Sequence, residues 1–132
     1  MRLATTLSAF VVLVALSDPL TAQVQLETAS GKKIQGEVLS DDGSEFEFQL
    51  TGGATVKMKY DLLTPASVYT LKDLRTPKDD GKAQLELAEW CVTERLYEQA
   101  RLHFRAALNA DASLSAEITE RVAAARKTAS EE

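Results

Sequence analysis

The sequence predicts an α+β protein: an N-terminal four-stranded antiparallel meander or small barrel, then a helical hairpin with a capping helix. Three observations carry this. Apolar residues recur at every second position between Val24 and Tyr60, glycine-containing turns divide that stretch, and beyond Pro65 the apolar spacing lengthens to three and four residues.

The strands come first. Val24, Leu26 and Thr28 alternate with Gln25 and Glu27; Ile34, Gly36 and Val38 with Gln35 and Glu37. Phe46, Phe48 and Leu50 then alternate with Glu45, Glu47 and Gln49, and Val56, Met58 and Tyr60 with Lys57 and Lys59. Successive side chains on a strand point to opposite faces, so each segment has one apolar and one polar face. Ser30-Gly31, Asp41-Asp42-Gly43 and Gly52-Gly53 separate them and supply residues that accept positive φ. Residues 23–62 therefore form a small β module in hairpin order. The glutamates of the third strand are expected opposite Lys57 and Lys59 of the fourth. The glycine, Asp-Gly and Phe-x-Phe rhythm resembles small SH3-like or Sm-like barrels. Stacking on RNA would need basic loops, whereas these strands expose glutamates, so Phe46 and Phe48 read as core.

Residues 63–81 form a connector. Thr64 is a capping residue and Pro65 suits the first helical position, predicting a short helix over 65–75 with Leu62, Leu63, Val68, Leu71 and Leu74 turned inward. In Thr76-Pro77-Lys78-Asp79-Asp80-Gly81 the aspartates are placed to cap the next helix. From Lys82 two helices follow. Leu85, Leu87, Ala88, Trp90, Cys91, Val92 and Leu96 cover a wide arc of the first, so it is packed on two sides. In the second, Tyr97, Ala100, Phe104, Ala107 and Leu108 form a narrow stripe opposite Glu98, Gln99, Arg105 and Asn109. Leu114, Ile118, Val122 and Ala125 repeat at close to four-residue intervals in a third helix ending near Lys127, with Glu117, Glu120 and Arg126 on its outer face. Residues 129–132 read as a disordered tail.

The stretch from Lys82 to Ala112 is similar to one tetratricopeptide (TPR) repeat, of the kind found in exported bacterial proteins. Leu87 and Ala88 match the leucine and small residue of its first helix; Tyr97, Ala100, Phe104, Ala107-Leu108 and Asp111 match its second. Gln84, Cys91 and Ala112 stand where the family commonly has tryptophan, tyrosine and proline. The resemblance implies a hairpin whose helices cross closely at Ala100, a capping helix after Ser113 that completes a unit over 82–128, and a protein- or peptide-binding surface on the first helix. Trp90, Gln84 and Glu94 are the candidate partner contacts there, Trp90 alternatively packing where hairpin and β module meet. A single repeat buries its face only against a neighbour, which the β module, the capping helix or another copy must supply.

The N-terminus reads as an export signal over residues 1–22. Met1-Arg2 gives a positive start, Leu3 to Leu16 an apolar run too short to span a bilayer, and Asp18-Pro19 an interruption. Cleavage is expected after Ala22, with Ser17 the alternative, placing the mature protein in the periplasm or outside the cell.

Composition excludes several functions. A net charge of −5 among 132 residues disfavours nucleic acid and anionic membrane surfaces. One cysteine and one histidine cannot build a disulfide framework or a Cys/His zinc site, and Asp41-Asp42-Gly43 lacks calcium-loop spacing. His103 reads as solvated on the shoulder of its helix and Cys91 as a buried apolar thiol; Glu86, Glu89 and Glu94 read as a solvated face. No nucleophile motif, phosphate loop or dinucleotide fingerprint occurs. No catalytic residue, metal or cofactor is therefore assigned. The expected function is an extracytoplasmic protein-interaction module, with a homo-oligomer built through the hairpin as the alternative and a small hydrolase a remote third.

Overall fold

In the computed structural model, which describes residues 23–132, four strands precede four α-helices. The expected signal peptide and both cleavage points lie outside the described residues. Strands β1 (Gln23–Glu27), β2 (Lys33–Asp41), β3 (Glu45–Leu50) and β4 (Thr55–Lys59) form one antiparallel sheet in sequence order. The period-two segments thus pair as neighbours, and their inward residues converge on Leu26, Phe46 and Phe48, all almost fully buried. A register shift between Val38 and Ser40 turns Leu39 outward, leaving it 49% exposed. Glu45 faces Lys59 and Glu47 faces Lys57, while the Lys57–Glu45 ion pair forms diagonally at 3.5 Å.

The sheet stays open. After a 3₁₀ turn at Tyr60–Leu62, the chain returns to the end of β1 at an isolated Thr28–Leu63 bridge. Ala29 N–H donates to the Leu62 carbonyl at 2.8 Å and Thr64 N–H to that of Glu27 at 2.9 Å. That contact delivers Leu63 to the core and sends the next residues across the sheet as helix α1 (Pro65–Arg75).

Each helix boundary has a local cause. Thr64 caps α1, with Pro65 at its first position. Asp80 accepts from Ala83 N–H at 3.1 Å and starts α2 (Gly81–Thr93) one residue before Lys82. At the other end of α2, Leu96 N–H reaches the Cys91 carbonyl and Arg95 N–H that of Val92, with Arg95 at φ 62°. That is a Schellman ending. The turn it makes folds α3 (Tyr97–Ala110) back along α2. Asp111 caps a short 3₁₀ turn at Ala112–Leu114, and α4 (Ser115–Ser130) follows.

Two apolar clusters result. One gathers Leu26, Phe46, Phe48, Tyr60, Leu63 and Leu71 between the sheet and α1. The other lies among α2, α3 and α4, where Ala88, Ala100 and Ala107 are almost wholly buried beside Leu87, Cys91 and Phe104. Three expectations require correction. Leu62 and Leu74 are 52% and 53% exposed, because Leu63 and Leu71 take the inward positions beside them. Helix α4 continues to Ser130, and Glu132 pairs with Arg95 at 2.9 Å, so the expected tail at 129–132 is tied back to the hairpin. His103 is buried rather than solvated.

Candidate functional site

The burial of His103 follows from α1. This helix packs beside α2, and its Tyr69 reaches α3 and covers the imidazole, the ring centroids 5.5 Å apart. His103 Nδ1 lies 2.6 Å from Gln84 Oε1, and the Gln84 amide nitrogen donates to the Pro77 carbonyl at 3.0 Å. Because Pro77 offers only an acceptor, the amide oxygen of Gln84 must face the imidazole. Nδ1 therefore carries the proton, and Nε2 accepts from the Tyr69 hydroxyl at 2.7 Å. Burial pushes the His103 pKa below its ordinary 6.5, partly opposed by Asp73, whose carboxylate lies 3.7 Å from Nε2. Burial, with Asp73 adding to it, pushes Tyr69 up to about 12. Gln84, expected to meet a partner, is 2% exposed with its amide used internally. Its side chain instead forms a polar clasp between connector and hairpin, which corrects that expectation.

Trp90 and Glu94 do come together. They border a shallow cleft of about 360 Å³ between α1 and α2, beside Lys72 and Tyr60. The Lys72 ammonium sits 5.1 Å from the Trp90 ring centroid and 6.0 Å from that of Tyr60, so one cation bridges the helical and sheet layers. Half-buried Trp90 thus sits at the junction between hairpin and β module. Nearby, Tyr60 donates to the Asp41 carboxylate at 2.6 Å, and Arg75 of α1 approaches the same carboxylate at 3.5 Å.

The larger concavity lies on the opposite side of the hairpin. Helices α3 and α4 diverge to leave a groove of about 390 Å³, floored by Val92, Ala100, Phe104, Ile118, Val122 and Ala125. Leu108, expected inside the α3 stripe, is 39% exposed at its end. The edges are basic: Arg101 and Arg105 stand along α3 and Arg126 along α4, with Glu98 the one acidic residue among them. Arg101 pairs with Glu98 at 2.9 Å. Arg105 and Arg126 have no carboxylate partner among the described residues. The Tyr97 hydroxyl, at the end where α3 begins, is shielded from solvent, and burial, with the nearby Glu132 carboxylate adding to it, pushes its pKa above the ordinary 10.

Sequence reasoning placed Arg105 and Arg126 on outward faces and missed the groove. The signal was present: Arg101 and Arg105 follow one another at i, i+4 beside an apolar stripe that continues to Leu108. What periodicity lacked was the angle at which α4 leaves α3. Cys91 is fully buried, and burial pushes its thiol up to about 11, which removes the thiolate a nucleophile needs. No family model, curated protein or solved structure matches this chain.

Proposed function

We propose that this chain is an exported, non-catalytic protein-interaction module that works in the periplasm or outside the cell through a TPR-like helical hairpin. The observation that carries the reading is the apolar groove between α3 and α4, which leaves the last face of the helical stack uncovered. In stacked helical hairpins such a face is where the next helix packs. Export is supported by the basic start, short apolar run and small residues before position 23. The cleft at Trp90 and Glu94 is a secondary contact at most, since Lys72 already occupies the face of the indole.

A photo-crosslinking amino acid at position 108, compared with the same probe at position 39 on the sheet, tests the reading in envelope extracts. A defined protein adduct at 108 and none at 39 is expected; equal labelling at both, or none at 108, rejects it. N-terminal sequencing of the protein recovered outside the cytoplasm should begin at Gln23, and a purely cytoplasmic protein starting at Met1 would reject export.

A further inference from the structure

Building on that reading, we propose that the α3–α4 groove receives an amphipathic helix of a partner protein, about three turns long, apolar on the face it buries and acidic along its flanks. Length and shape set the first part. Each wall of the groove runs over roughly three helical turns, about 16 Å, from Tyr97 to Leu108 and from Ile118 to Ala129. Side chains spaced four apart on the two walls form ridges, and a third helix lays its own ridges between them. An open trough does not enclose a small amphiphile on most of its surface, as small-molecule sites do.

Charge sets the second part. The chain carries −5 overall, yet three arginines and one glutamate border this groove, and two of those arginines lack a carboxylate partner among the described residues. The local sign is opposite to that of the molecule. A helix flanked by Glu or Asp brings carboxylates to Arg105 and Arg126 as its apolar face meets Phe104 and Val122. Guanidinium forks at the rim of a desolvated patch are well suited to hold carboxylates and to select partners by charge. A second copy fits less well: an isologous dimer on this face sets one basic rim against the other.

The test uses the protein purified as the cell produces it and two stapled three-turn peptides. Both carry leucine at i, i+3, i+4 and i+7; one is flanked by glutamates and its twin by lysines. Fluorescence anisotropy should show the glutamate peptide binding roughly tenfold tighter than its twin. The Arg105→Glu/Arg126→Glu variant should reverse that order, and Leu108→Glu, at an exposed position, should weaken both peptides with the helical circular dichroism retained. Equal affinities, or a preference for lysine, would overturn the acidic partner while leaving the groove as a docking face. Binding of neither peptide would overturn the proposal and remove the groove from the interaction reading as well. A dimer that Leu108→Glu dissociates would overturn it in favour of a second copy. Binding of a medium-chain fatty carboxylate, lost in Leu108→Glu, would overturn it in favour of a small amphiphile.

Discussion

The Tyr69 hydroxyl donates to His103 Nε2 across 2.7 Å, and this hydrogen bond joins the helix that covers the sheet to the second helix of the hairpin. Its direction is fixed by Gln84, which accepts from the other ring nitrogen. Tyr69→Phe should therefore cost about 1 kcal/mol in urea unfolding, the ordinary value of a hydrogen bond whose loss leaves a buried acceptor unpaired. No loss of stability would mean that the imidazole has another donor.

The same clasp makes stability depend on pH in a defined direction. His103 has its folded pKa lowered below the 6.5 of the unfolded chain, chiefly by burial. The unfolded state then binds the proton more readily, so stability is fully present above that value and declines as pH falls through it towards the folded pKa. Protonation would also give Nε2 a hydrogen that faces the Tyr69 donor. Urea midpoints measured from about pH 8 to about pH 5 should fall for the natural chain. His103→Asn should flatten that slope, leaving only the change due to carboxylates; an unchanged slope would show that His103 is not its source.

Arg95 holds φ 62° at the turn between α2 and α3, a conformation that disfavours residues with a β-carbon by about 1 kcal/mol. Its ion pair with Glu132 is mostly solvent-exposed and offsets only a small part of that. Arg95→Gly should raise the thermal midpoint, with a net gain of about 0.5–1 kcal/mol. A fall would mean that the contact with the end of α4 outweighs the backbone term.

Gly36 and Gly31 resist alanine for different reasons. A β-carbon on Gly36 would overlap the Gln49 carbonyl of the neighbouring strand, so Gly36→Ala must move backbone and should cost about 2–3 kcal/mol. Gly31 has open space around it but φ at +91°, and Gly31→Ala should cost about 1 kcal/mol. Equal losses in calorimetry would contradict this assignment of causes.

Tyr97→Phe removes a hydroxyl that lies shielded from solvent near the Glu132 carboxylate. The variant should lie within about 1 kcal/mol of the natural chain, because the hydroxyl makes no hydrogen bond of good geometry. A marked loss would reveal a partner for that oxygen.

Local information was legible where a residue's neighbours in sequence decide its environment. The alternation around Phe46 and Phe48, the turn at Asp42-Gly43, Thr64-Pro65 ahead of α1 and Asp80 ahead of α2 all act within a few residues, and the α+β order follows from them. Gln84 and His103 were misread because polarity on a single helix suggests water, whereas here each satisfies the other beneath α1. Leu74 was misread in the opposite sense: its spacing from Leu71 fits an inward position, but Leu71 takes that position and Leu74 is left 53% exposed. The groove escaped because it depends on the divergence of two helices, a property of neither alone.

Nearly every pairing in this molecule joins elements adjacent along the chain: β1 with β2, β2 with β3, β3 with β4, α2 with α3 and α3 with α4. Such a topology asks for few distant loop closures and should assemble quickly, each half collapsing on its own as soon as its residues are free. Among the contacts that arrive late are then those reaching far back along the chain: Ser67 onto Glu27, Leu63 onto Thr28, and His103 onto Tyr69. Formation of the His103–Tyr69 contact would therefore mark the docking of the two halves, and a rapid-mixing experiment following the emission of Trp90, the one tryptophan, at the same junction would time it.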